Sequence, residues 1–253
     1  MKEDSALLTY YDLQRYNRQM LLAGWGEAGQ LKLKNSSVFI AGAGGLGSPV
    51  ALYLAAAGLG EIRICDDDIV ELSNLNRQIL HTDNRLGQSK ALSAEQTLNE
   101  MNPSLAIKSL AERLDETNVE RFVGQPDIVV DCLDNYPTRY LLNEYCVKHR
   151  IPFVHAAIWG LIGQVTFIQS PETPCLKCII PEAPPKEVFP VLGATPGVIG
   201  ALQAMETLKH LTGIGECLKG RLLIFDGDNM SFDSIKIKRR PDCSVCGVDQ
   251  DHQ

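Results

Sequence analysis

The chain predicts an α/β fold: a Rossmann-like, doubly wound, mostly parallel sheet, extended by antiparallel C-terminal strands and carrying a four-cysteine knuckle. Three observations predict it. Short apolar runs alternate with helix-length segments from Val38 to His155, the pattern of a parallel sheet covered on both faces. A glycine loop, Gly42-Ala-Gly44-Gly45-Leu-Gly47, joins the first apolar run to the segment after it. Two CxxC pairs, Cys175/Cys178 and Cys243/Cys246, stand in the C-terminal part.

Taken in order, residues 11–33 read as helical and carry Arg15 and Arg18. Strands are expected near 38–41, 62–65, 107–110, 128–132 and 152–155, with helices between them. From Gly163 the pattern shifts: Gln164–Gln169 reads as a strand, 198–211 as a helix, and 222–225 and 232–238 as strands, the last alternating with period two. The organisation expected is a helical segment 1–34, a nucleotide-binding part 35–160 and a C-terminal part 161–253, within one compact body. Trp25 and Trp159 read as packing residues, and His155, after a buried strand, as a structural histidine.

The run Gly42-x-Gly44-x-x-Gly47, between a strand and a helix, is a dinucleotide-type fingerprint. The first glycine allows the tight turn, the second lets a phosphate approach the backbone, and the third lets helix and strand pack closely. The helix that follows offers unpaired N–H groups and a positive dipole end to an anion. Asp66, nineteen residues after Gly47, stands where an acid accepts hydrogen bonds from ribose hydroxyls; Asp68 joins it as a nucleotide-site candidate. Asn74-Leu-Asn-Arg77-Gln78 and Lys90 follow. Two cations beside a polyphosphate suit reaction at phosphorus, where charge builds on non-bridging oxygens. Gly87-Gln-Ser-Lys90 is not a Walker A loop, because its spaced first glycine is missing.

A further apolar run, Ile128-Val-Val, ends in Asp131-Cys-Leu-Asp134-Asn135. Ligands in open α/β sheets bind beyond the carboxyl ends of strands, so Asp134 is expected in the same crevice as Gly42. A carboxylate beside a triphosphate suits Mg²⁺; the competing role is a helix N-cap before Pro137. Asp131 reads as structural.

These motifs together closely resemble the ThiF/MoeB/HesA family, bacterial and archaeal relatives of ubiquitin-activating enzymes. Arg15-Tyr-Asn-Arg18-Gln19, Gly197–Glu206 and the cysteine pairs match as well, and Asp226-Gly227 with Lys238-Arg-Arg240 leans toward the ThiF branch. The resemblance implies ATP-dependent adenylation of the C-terminal glycine of a small ubiquitin-like sulfur-carrier protein ending in Gly-Gly. By position, Asp66 would hold the ribose, Asn74, Arg77 and Lys90 the phosphates, and Asp134 the Mg²⁺. Arg18 would enter the active site of a homodimer mate, in the manner of an arginine finger. The pathway stays open among thiamine, molybdopterin and related routes. The competing readings are a NAD- or SAM-type Rossmann enzyme, with no role for Arg77, Lys90 or Asp134, and a non-catalytic carrier-binding relative.

Two CxxC pairs suit a tetrahedral Cys₄ site for Zn²⁺, and the resemblance implies the same. Disulfides are disfavoured, since no signal peptide is visible and the composition reads as cytoplasmic. Cys65, Cys132 and Cys146 read as small hydrophobes. Many family members carry a cysteine in the loop that corresponds to Pro181–Pro196, and here that loop has none. Adenylation without a covalent link to the carrier is therefore expected, with sulfur supplied by a separate sulfurtransferase. The loop itself reads as mobile and able to cover the carrier's tail. Cys217 is the weak substitute candidate. A net charge of −7 argues against general nucleic-acid binding, and no apolar run reaches membrane-spanning length. The cluster Lys236–Arg240 reads as an exposed strand face.

Overall fold

A computed structural model describes residues 7–185 and 190–247. One eight-stranded sheet runs through it, in the order β3-β2-β1-β4-β5-β6-β7-β8. Its strands are β1 (Ser37–Ala41), β2 (Glu61–Cys65), β3 (Ala106–Leu110), β4 (Ile128–Asp131), β5 (Phe153–Trp159), β6 (Ile162–Ile168), β7 (Arg221–Asp226) and β8 (Ser231–Lys236). β1 to β5 are parallel and β6 to β8 antiparallel. β1 and β4 sit at the centre, where every residue of β4 is buried, as a parallel strand covered on both faces requires. The chain moves outward from β1 through β2 to β3, then returns to β4 beside β1. That reversal opens a crevice at the carboxyl ends of β1 and β4, the position where such sheets take ligands.

Helices cover both faces. One core layer joins Leu33, Val38, Ile40, Val50, Leu54, Ile62, Ile64 and Ile199; the other joins Phe39, Val129, Leu142, Phe153 and Leu176. The alternation along β1, with Val38 and Ile40 to one side and Phe39 and Ala41 to the other, follows from the two-residue period of a strand. α4 (Gly47–Ala57) follows β1, and α9 (Ala194–Thr212) packs against it. Gly200 permits that approach, since a Cβ there would fall 2.5 Å from Pro49 and 2.7 Å from the Leu46 carbonyl oxygen.

The N-terminal stretch departs from a single helix over 11–33. It forms α1 (Tyr10–Arg15), α2 (Asn17–Met20) and α3 (Gly26–Lys34). Gly24 and Gly26 adopt φ of +83° and +56°, left-handed values that end one helix and start another. A separate junction at Tyr16, between α1 and α2, turns that residue inward: its hydroxyl accepts from Asn102 Nδ2 at 3.0 Å. Asp12 completes a capping box with Thr9 and pairs with Lys34 at 2.6 Å.

Two C-terminal expectations also change. β8 ends at Lys236 rather than 238, because the chain turns there toward the cysteines. Arg239 Nε donates to the Cys246 carbonyl, and the Arg240 N–H faces Cys178 Sγ at 3.4 Å. Trp159 is 51% exposed instead of packed. β5 outruns its parallel partner β4, which ends opposite His155, so the end of β5 pairs with β6 alone. Trp25, at 5%, is a core residue as expected. The expected covering loop 181–196 falls partly on residues 186–189, outside the described residues.

Candidate nucleotide site and cysteine cluster

The glycine loop is built by close backbone contacts. Gly42 has φ of +100° and donates to the Cys65 carbonyl at 2.8 Å. A Cβ on Gly42 would meet the Cys132 carbonyl oxygen at 2.6 Å, and one on Gly47 would meet the Gly42 carbonyl oxygen at 1.9 Å. The ends of β1, β2 and β4 are thus drawn together around this loop. Gly44 and Gly45 face other partners: Cβ atoms there would lie 3.6 Å from Gln78 Nε2 and 3.7 Å from Arg77 Cγ. The segment 74–78 therefore folds over the loop.

Asp66, at the end of β2, accepts from the Ala43 N–H at 2.7 Å and from the Asp68 N–H at 2.9 Å. Burial raises its pKa, and those two N–H groups and Lys90 act against the rise. Each carboxylate oxygen keeps a further lone pair for another donor. Lys90 opens α5 (Lys90–Met101), which Ser89 caps. It is 5% exposed, and its Nζ meets the exposed carboxylate of Asp68 at 2.9 Å. Asn74 is buried and holds its own turn, its Oδ1 accepting from the Glu71 N–H at 3.1 Å. Arg77 Nη1 donates to the Ser73 carbonyl at 2.8 Å. Gln78 is buried, and its Oε1 finds no partner among the described residues.

Asp134 is exposed in the turn between β4 and α7 (Tyr136–His149). The helix cap is its neighbour Asn135, whose side chain accepts from the Thr138 N–H at 3.1 Å, so Asp134 is left out of the cap. It forms no hydrogen bond or ion pair with the described residues. Beneath it lies a buried cluster. His155 Nδ1 stands 2.6 Å from Asp131 Oδ2, Arg139 Nε 3.5 Å from the same oxygen, and Arg139 Nη2 donates to the carbonyls of Leu133 and Ala156. Burial lowers the pKa of His155 against the pull of Asp131. Asp131 and His155 are thus structural, as their sequence context suggests.

Arg18 stands apart from these residues. It is exposed on α2, and α2 is anchored at the far end of α4, where Gln19 Nε2 donates to the Ala57 carbonyl at 2.7 Å. The glycine loop is at the near end, one helix of eleven residues away, about 16 Å at the usual rise.

The four cysteines converge. Their sulfurs lie within 4.8 Å of one another and all four residues are buried. Cys175 and Cys243 are 3.6 Å apart, Cys178 and Cys246 3.4 Å. Four thiolates around Zn²⁺ stand about 3.8 Å apart at Zn–S distances near 2.3 Å, so the donor set and spacing fit a structural zinc ion. Cys65 is buried with its thiol pushed up to about 12 by burial and neighbouring acids, and burial also raises Cys132 and Cys146. These three are packing thiols. Cys217 lies beyond the C-terminal end of α9, in a surface depression of about 420 Å³ lined also by Lys209, His210 and Lys219. Pro196, at the other end of that helix, lies by the glycine loop, where a Cβ on Gly45 would meet it at 3.3 Å. Burial raises the Cys217 pKa, so it has neither the position nor the acidity of a reactive thiol.

Two residues near the site carried no signal in the sequence argument: His81, which binds the Ala43 carbonyl, and Arg139. A histidine three residues after Gln78 and an arginine in the first turn after Asp134 were the available cues.

Residues 16–245 match the ThiF family. Among curated relatives, the adenylyltransferase and sulfurtransferase MOCS3 of Drosophila sechellia is 48% identical over 248 residues, which cover 95% of this chain and 55% of that protein. The SAMP-activating enzyme E1 of Haloferax volcanii is 44% identical over 241 residues, 93% of this chain and 89% of that one. The chain thus spans little more than half the length of the first. Among solved structures, E. coli MccB with MccA-N7isoASN matches at a TM-score of 0.84 and 26% identity, over 93% of this chain and 74% of that one. MccB with ATP matches at 0.80 and 26%, over 92% and 73%. The chain belongs to the ThiF family.

Proposed function

We propose that this member of the ThiF family adenylates the C-terminal glycine carboxylate of a small ubiquitin-like sulfur-carrier protein, at the expense of ATP. One observation carries the reading: the glycine loop, Asp66, Arg77 and Lys90 gather at the carboxyl ends of β1 and β2, with an uncommitted carboxylate, Asp134, at the end of neighbouring β4. A hydride- or methyl-transferring enzyme would leave the two cations and Asp134 without work. The names of the fly and archaeal relatives point the same way.

In this reading a carboxylate oxygen of the carrier attacks the α-phosphorus of ATP. The bond from that phosphorus to the bridging oxygen breaks, and pyrophosphate leaves with the electron pair. The attacking carboxylate is already ionised near neutrality, so no side chain must remove a proton. The protein's part is positioning and charge. Asp66 accepts from the ribose. The loop N–H groups, Asn74, Arg77 and Gln78 orient the phosphates. Lys90, released from exposed Asp68, meets the charge growing on the phosphoryl oxygens. Asp134 would hold Mg²⁺, which supplies further charge neutralisation when bound. Zn²⁺ on Cys175, Cys178, Cys243 and Cys246 would be structural.

Arg18 lies too far from its own loop to join this set, and we assign it to the site of the second subunit in a homodimer. No cysteine occurs between residues 181 and 196, and Cys217 is remote, so sulfur would come from a separate sulfurtransferase after adenylation. ATP–pyrophosphate exchange with Mg²⁺ tests the reading. Carrier-dependent exchange is expected, and mixing Arg18→Ala protein with Lys90→Ala protein should restore part of what each has lost. ATP binding without exchange, for any carrier ending in Gly-Gly, would favour a non-catalytic relative. No restoration on mixing would place Arg18 elsewhere.

A further inference from the structure

We propose that His81 is a positioning residue for the nucleotide site, fixing the Ala43–Gly44 peptide of the glycine loop and tying that loop to the helix that carries Lys90. The ring is 5% exposed. Its Nε2 lies 2.9 Å from the Ala43 carbonyl oxygen and its Nδ1 2.9 Å from Ser93 Oγ. A carbonyl can only accept, so Nε2 carries the proton; in the neutral ring Nδ1 then accepts from the Ser93 hydroxyl. Burial, with Lys90 and Arg85 nearby, lowers the pKa of His81 despite its bond to Ala43, and a neutral ring in a single tautomer follows.

The backbone of Ala43 is thereby held at both of its peptides, the N–H of Gly42–Ala43 by Asp66 Oδ2 at 2.7 Å and the C=O of Ala43–Gly44 by His81. Ala43 directly follows Gly42, the residue at φ +100°. The next three N–H groups, of Gly44, Gly45 and Leu46, find no acceptor among the described residues. The first of them shares the Ala43–Gly44 peptide plane with the carbonyl that His81 holds, and the next two follow from it, because planar peptides leave only φ and ψ between one group and the next. These N–H groups are what the loop offers an anion at the start of α4.

The other end of the bridge matters equally. Ser93 sits one turn after Lys90 in α5. The backbone beside His81 is clamped as well: the Leu80 N–H meets Ser48 Oγ of α4 at 3.3 Å, and the Thr97 hydroxyl of α5 donates to the Leu80 carbonyl at 2.6 Å. His81 thus sets the spacing between two parts of the site that lie on different helices.

The inference rests on the nucleotide reading of this loop, and its test separates the two. His81→Gln keeps an amide N–H near the place of Nε2, while His81→Leu removes it. On the full chain with Mg²⁺, His81→Leu should raise the ATP dissociation constant and the KM for ATP about fivefold to tenfold, the worth of one hydrogen bond. Its kcat for exchange should stay within about threefold on the same scale, and His81→Gln should recover most of the affinity. Equal weakening in both variants, or unchanged affinity in His81→Leu, would overturn the proposal. Should His81→Leu fail to melt cooperatively, the Ser93→Ala variant and nitrogen NMR of the wild-type ring decide. A proton on Nε2 in the wild type, with weaker ATP binding in Ser93→Ala, supports the bridge; a proton on Nδ1 sinks it. Wild-type protein that binds no ATP would overturn the nucleotide reading itself.

Discussion

At the scale of single residues, the site pairs a buried cation with an exposed acid. Lys90 is held almost out of solvent while Asp68, its partner, remains in water. The carboxylate of Asp68 is easily displaced, since its own side of the pair is screened by water and salt. Lys90 therefore behaves as a fixed charge and Asp68 as its resting counter-ion. Lys90→Met should lower kcat for exchange about 100-fold or more, the usual cost of removing one preorganised charge at a reacting centre. Asp68→Asn should cost no more than about fivefold. Comparable losses in the two variants would mean that Asp68 itself contacts substrate. The order of the sequence motifs put Lys90 and Asp134 forward as site candidates, but it did not give the division of labour around them. Which of Asp134 and Asn135 caps α7 depends on one residue of register at the helix start. His81 offered only its place three residues after Gln78, because its partners, Ala43 and Ser93, lie 38 and 12 residues away and meet it only in the fold.

At the scale of elements, α7 links the two chemically distinct regions. It begins at the Asn135 cap beside Asp134. Farther along, Asn143 Oδ1 accepts from the Leu176 N–H at 2.8 Å, and the Tyr140 hydroxyl donates to the Ile180 carbonyl at 2.9 Å. These two bonds hold α8 (Leu176–Ile179), which lies between Cys175 and the turn after Cys178. The second cysteine pair fastens the C-terminal segment to the same place. A structural Zn²⁺ in such a site is part of the folding free energy. Stripping it with a strong chelator under reducing conditions should lower the melting temperature by about 10 °C or more, and one equivalent of zinc should be released to a chromogenic indicator. An unchanged melting curve after verified metal removal would reduce the cluster to four packed thiols. The strands were readable because each is a short apolar run bounded by turns. The N-terminal helices were not separable in advance: the helical period continues through Tyr16, and only the backbone shows Gly24 and Gly26 in left-handed conformations.

At the scale of the whole molecule, three histidines are built into the body in their neutral form. His81 lies beside the glycine loop, His155 under β4, and His210 on α9 against the Phe167 ring. Burial lowers the pKa of each; Lys219 adds to the shift at His210, while Asp131 opposes it at His155. The unfolded chain titrates these groups near the ordinary value of about 6.5. Below that pH the unfolded state binds more protons than the folded one, so stability falls as pH drops and is fully present above it. The raised carboxyl of Asp66 works with the opposite sign. The melting temperature should thus decline from pH 7.5 to 5.5 at constant zinc. His210→Gln, at the end of α9 away from the glycine loop and outside the four-cysteine cluster, should remove part of that slope without altering the plateau above neutrality by more than about 1 kcal/mol. A variant with the wild-type slope would show that His210 charges freely in the folded state. The slope would then have to come from other groups, His81 and His155 first among them.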